Sequence, residues 1–80
     1  MTTLERIDAL KRLWSVMVPT IPCPDDSQLW LWISQHDDRE LEHALNRLRS
    51  KVHHGTLQGD SGRYVTSVLN AERRAKVGVR

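Results

Sequence analysis

Prolines stand at positions 19, 22 and 24 and nowhere else in the chain, and this cluster constrains the fold more than any other feature. Proline lacks a backbone N–H and pushes the residue before it out of helical geometry, so a helix running toward Pro19 has to stop by Val18. Three prolines within six positions make residues 19–24 a stiff extended connector, with Ile21 and Cys23 as the apolar residues it can tuck inward. Outside this connector the apolar spacing is that of helices.

Thr2 with Glu5 three residues later has the reciprocal pattern of a capping box. Leu4, Ile7, Leu10, Trp14 and Met17 then recur at steps of three or four, which predicts an amphipathic helix over about 3–18. Pro24, Asp25 and Asp26 suit the first turn of a second helix over about 24–36, because proline is pre-shaped for that turn and carboxylates complement the positive helix end. Leu29, Trp30, Trp32 and Ile33 fill an arc of roughly 160° on its wheel, with Leu31 outside it. A helix that apolar is either central in a bundle or offers Trp30 and Leu31 to a partner. Asp37 and Glu40 repeat the capping pattern for a third helix over 38–54, where Leu41, Ala44, Leu45, Leu48 and Val52 form one stripe and Gly55 follows the end. Asp60 or Ser61 caps a fourth helix over about 61–76. Tyr64, Val65, Val68, Leu69, Ala71 and Ala75 are its expected inner face, and Arg63, Ser67, Asn70 and Arg74 its outer one.

Eighty residues accommodate one core. The expectation is an all-α domain spanning 1–80, a compact four-helix fold with short connections and a short tail at 77–80. The longest apolar run, Leu29 to Ile33, falls far short of the roughly 18 residues of a spanning helix. The first residues lack the basic flank and apolar stretch of a signal peptide, and Cys23 has no disulfide partner within the chain. A cytoplasmic protein without membrane association is expected.

Catalytic patterns fail on spacing. Gly59-Asp60-Ser61-Gly62 spells a serine-protease nucleophile motif, but eighty helical residues have no room for the two β-barrels that assemble its partners, and a helix cap explains the same letters. The aspartate pairs at 25/26 and 37/38 also sit where helices want anionic caps. His43 and His54 are eleven residues apart, about 16 Å along a helix, and His53 and His54 diverge by about 100°, so no metal-ligand spacing arises. His36 reads as a hydrogen-bonded residue at the edge of the core. The glycines lack the Lys-Ser/Thr ending of a phosphate-binding loop. No catalytic residue, metal, cofactor or small-molecule substrate is expected.

Binding remains. The net charge of +2 divides into −3 over residues 1–40 and +5 over residues 41–80, so any anionic partner belongs with the second half. The candidate nucleic-acid contacts are Arg63, Asn70, Arg73, Arg74 and Lys76 on the fourth helix, with Arg47 and Lys51 on the third. Arginine and lysine neutralise phosphate, and asparagine and serine on the same face hydrogen-bond phosphates or base edges. Basic helix ends also simply complement the helix dipole. His43 and His54 flank Arg47, so their protonation is expected to strengthen anion binding there. The rival reading is a protein-interaction or homo-oligomerisation module using Trp30 and Leu31.

Three stretches, Leu29-Trp30-Leu31-Trp32-Ile33, Leu41-Glu42-His43-Ala44-Leu45 and Tyr64-Val65-Thr66-Ser67-Val68-Leu69-Asn70, together resemble the helical DnaD-type domain of bacterial and phage replication-initiation proteins. That pattern combines a tryptophan-bearing apolar helix, an alanine beside an aliphatic residue, and a tyrosine followed by a pair of aliphatics. The likeness covers residues 24–72. Where the family usually has a tryptophan three positions after the second aliphatic, this chain has Glu72. The resemblance implies an all-helical domain that touches DNA and replication proteins, with Tyr64, Val68 and Leu69 packing inside and the basic helix end on the DNA. The reading is therefore a small non-enzymatic accessory module of bacterial or mobile-element type.

Overall fold

The computed structural model describes residues 2–57 and 59–78, with side chains through Arg74. Four helices follow in order: α1 (Thr3–Met17), α2 (Asp26–Gln35), α3 (Asp38–His54) and α4 (Ser61–Gly78). The domain is all-α, and no strand occurs among the described residues. The second helix is shorter than the expected 24–36, because Asp25 is its N-cap, its side chain accepting from Gln28 N at 3.0 Å, and His36 its C-cap. The fourth is longer than expected and continues through Gly78, so part of the expected tail is helical.

The caps answer to residue chemistry. Thr2 and Glu5 close a reciprocal box at the start of α1, and Asp37 and Glu40 do the same for α3. Asp60, not Ser61, caps α4, its carboxylate accepting from Arg63 N at 3.2 Å. Gly55 ends α3 at φ +67°, a left-handed conformation that costs glycine little. Gly55 N and Thr56 N then donate to Val52 O and Lys51 O, satisfying carbonyls that the helix end leaves open. At the other boundary Pro19 forces Val18 to φ −135°, and the chain turns there with Val18 inside the core.

The core joins Ile7, Leu10, Trp14 and Val18 to Leu29, Trp32 and Ile33, then to Leu41, Ala44, Leu45, Leu48, Val65 and Leu69. Trp14 and Trp32 stack at its centre, with ring centroids 6.3 Å apart and planes 18° off parallel. Both indoles keep a polar partner. Trp14 Nε1 donates to Ile21 O at 2.9 Å, which pins the proline connector against α1, and Trp32 Nε1 donates to Thr66 Oγ1 at 3.0 Å, which ties α2 to α4.

Of the two connector residues expected to tuck inward, Ile21 packs against the core but Cys23 is exposed, and two residues assigned inward by periodicity also lie outside. Leu4 is 73% exposed, since the first turn of α1 projects beyond the helices it packs on. Ala71 is also exposed, lining an open groove between α3 and α4. Ala75 of the expected inner face has its side chain outside the described residues.

Candidate functional site

Val65 and Leu69 mark the buried side of α4. Successive residues turn by about 100°, which places Arg63, Ser67, Asn70 and Arg74 roughly 120–180° round from that side. All four are exposed, as is Arg73. From Arg63 to Arg74 the ridge runs eleven residues, about 16 Å at the helical rise. The expected outer stripe is thus a continuous exposed ridge, and Lys76, assigned to the same surface, has a side chain outside the described residues.

Arg47 and Lys51 lie elsewhere. The sequence reading sets them beside the α4 ridge as one patch, whereas here they form the α3 wall of a groove of about 540 Å³ between α3 and α4. Tyr64, Ser67, Val68 and Ala71 line the opposite wall, so Ser67 is the residue that ridge and groove share. A second depression of about 440 Å³ continues the groove along the end of α3, bringing in Ser50, His54 and Thr56.

The charges are distributed unevenly. Two ion pairs form among the described residues, Arg6–Asp38 at 2.9 Å and Lys11–Asp26 at 2.7 Å, and two histidines meet carboxylates, His36–Glu40 at 3.4 Å and His43–Glu72 at 2.8 Å. Arg47, Lys51, Arg63, Arg73 and Arg74 take part in none of them. These five exposed cations are left outward among the described residues, while Arg6 and Lys11 of α1 pair with Asp38 and Asp26 in the first turns of α3 and α2.

The two histidines expected to lend charge to Arg47 are engaged by other groups. His43 Nε2 meets Glu72 Oε1 across the α3–α4 contact, and His54 Nδ1 lies 2.8 Å from Ser50 O. Glu72, the residue that departs from the DnaD-type pattern, is thus the clasp holding α4 against α3 at one end of the groove. His36 is buried at the end of α2, beside Glu40, in the edge role expected of it.

On α2, Leu29, Trp32 and Ile33 are buried, but Trp30 is 53% and Leu31 42% exposed. The helix is central on one side only, and the two residues assigned to a partner interface do face outward.

One organising residue carried no signal in the sequence. Arg6 reaches from α1 to Ile33 O and His36 O at 3.3 Å each and to Asp38 Oδ1 at 2.9 Å. It places a cation on the open carbonyls ending α2, where that helix dipole favours it, and against the Asp38 carboxylate in the first turn of α3. Its partners stand 27 to 32 residues away, beyond any local pattern.

Near the connector, burial pushes the Cys23 thiol above its ordinary pKa; Lys11 opposes this and Asp26 adds to it. The Lys11 ammonium is itself held protonated beyond its usual range, chiefly by its hydrogen bond to Asp26. Among the described residues no three histidine, cysteine or acidic side chains converge as a metal-binding group, and no helix is long and apolar enough to cross a membrane. Compared with protein-family models, with curated proteins and with solved structures, the chain finds no match in any of the three.

Proposed function

We propose that this chain is a non-enzymatic helical accessory module that contacts nucleic acid through the outer face of α4. The observation that carries the reading is the alignment of Arg63, Ser67, Asn70 and Arg74 on one exposed ridge, none of them engaged by a carboxylate. Guanidinium groups in that state neutralise phosphates, and the serine and asparagine between them supply hydrogen bonds of the kind that orient a backbone or touch a base edge. A single α-helix is the element a major groove of about 12 Å admits. Arg73 adds an exposed cation beside the ridge, and Arg47 and Lys51 add cations across the groove; Lys76, expected to join them, has its side chain outside the described residues.

The likeness to the DnaD-type domain supports a place among replication or mobile-element proteins of the bacterial cytoplasm. Of the residues it would have pack inside, Leu69 is buried and Tyr64 and Val68 pack against the core from its edge. The exposed Trp30 and Leu31 favour a second reading, in which α2 docks on a protein. Fluorescence anisotropy of labelled single- and double-stranded DNA, titrated with the chain and with an Arg63→Ala/Arg74→Ala variant across a salt series, tests the first. Salt-dependent binding that the variant loses is expected; binding absent at low salt overturns it.

A further inference from the structure

The outward side of α2 and the groove between α3 and α4 complement one another. No lysine or arginine occurs between Arg12 and Arg39, so every ionised side chain in that stretch is a carboxylate: Asp25, Asp26, Asp37 or Asp38. Arg6 and Lys11 of α1 partner Asp38 and Asp26. Trp30 and Leu31 stand exposed, a large ring and an isobutyl group, with the two aspartate pairs on either side of them in sequence and a net negative charge left after those two ion pairs. The groove has the opposite character. Val68, Ala71 and the partly buried Tyr64 give it an apolar side, Arg47 and Lys51 line its α3 wall without carboxylate partners, and its one acidic residue, Glu72, is held by His43.

We propose that a second copy of this chain fills the groove, α2 of one molecule laying Trp30 and Leu31 against Tyr64, Val68 and Ala71 of the next, with its carboxylates toward Arg47 and Lys51. A phosphate backbone has nothing to bury on that apolar wall, whereas α2 brings exposed apolar area of the kind that anchors protein interfaces. A contact of ordinary size takes about 800 Å² from each partner, roughly 14% of the 5689 Å² surface of this domain.

The placement of the two surfaces fixes the form of the assembly. Thr66, which receives the Trp32 indole N–H from α2, lies about 160° round α4 from Tyr64 and Val68. The donor and acceptor surfaces therefore sit on opposite flanks of α4, and the contact is head-to-tail. Each added copy leaves one groove and one α2 open, so the species grow with concentration instead of stopping at a symmetric dimer. Arg63 and Arg74 of the proposed nucleic-acid surface lie outside the groove, whereas Ser67, Arg47 and Lys51 are common to both.

Sedimentation velocity over a micromolar to millimolar range reads the outcome, with circular dichroism confirming that each variant keeps its helices. The wild-type chain is expected to sediment faster as concentration rises. Trp30→Ala removes the knob and Lys51→Glu turns the socket acidic, and each alone is expected to weaken association by at least about tenfold, the scale of an interface anchor. Mixing the two variants restores one intact pairing, because the first keeps its groove and the second its Trp30, and is expected to produce dimers and nothing larger. A wild-type chain that stays monomeric at millimolar concentration overturns the proposal, as does association indifferent to either substitution or a mixture that fails to pair. A monomeric chain whose groove instead takes up an unrelated acidic amphipathic peptide overturns it too and gives the groove to a different protein.

Discussion

Replacing Arg63 and Arg74 together by alanine removes two of the three arginines on the exposed part of α4 whose side chains are described. If each of Arg63, Arg73 and Arg74 neutralises one duplex phosphate, they contribute a slope of about −2.7 to log affinity against log salt, at about −0.9 per phosphate. A rise from 50 to 200 mM salt then weakens binding about 40-fold through these residues alone. The double variant retains Arg73, its share of the slope falls to about −0.9, and the same salt change costs about 3.5-fold. Cations elsewhere, Arg47 and Lys51 included, add equally to both proteins, so the difference of about 1.8 in slope isolates the ridge. On single strands the difference is about 1.4, at about 0.7 per phosphate. Both side chains are exposed and outside any ion pair, so folding stability is expected to change by less than about 0.5 kcal/mol, and a thermal melt checks this. Equal slopes for wild type and variant, with both folded, would refute the assignment of α4 as the phosphate-contacting surface.

The remaining expectations concern the scaffold. Arg6→Ala deprives Ile33 O and His36 O of a charged donor and Asp38 of its partner; a loss of about 1–2 kcal/mol in urea unfolding is expected, with Arg6→Lys rescuing little because one ammonium cannot span three acceptors. Leu69→Ala, at a fully buried position, is expected to cost about 2–5 kcal/mol, whereas Leu4→Ala stays within about 0.5 kcal/mol; equal effects in chemical denaturation would contradict the burial pattern. Because folding holds the proton on Cys23, that stabilisation is complete below the thiol's ordinary value of 9.0 and is lost as pH rises through the higher folded value. Iodoacetamide at pH 8 is therefore expected to alkylate the folded chain more slowly than the urea-unfolded chain, and a faster folded reaction would show a thiolate stabilised instead.

Much of this architecture was legible in one dimension because its causes are local. A residue before proline avoids helical geometry wherever it occurs, so Val18 ends α1. Thr2 with Glu5 and Asp37 with Glu40 satisfy donors three residues away, and Gly55 relieves a left-handed turn. Periodicity also told the outer ridge of α4 from its inner face, since both follow from 3.6 residues per turn. It failed at Leu4 and Ala71, because a periodic position becomes buried only where another element lies over it, and both positions are exposed.

The candidate surfaces divide along the same line. The order of Arg63, Ser67, Asn70 and Arg74 determines that they share a face, and the lack of any basic residue from 13 to 38 determines that α2 is acidic and apolar. Only the packing of α3 on α4 decided that Arg47 and Lys51 belong to a groove with Tyr64 and Val68, that Glu72 clasps His43, and that Arg6 gathers the ends of α2 and α3. Those contacts join residues 13 to 32 positions apart, on helices whose crossing no spacing encodes. The helical period sets the direction of a side chain about its own axis, and the tertiary fold alone sets what it meets there.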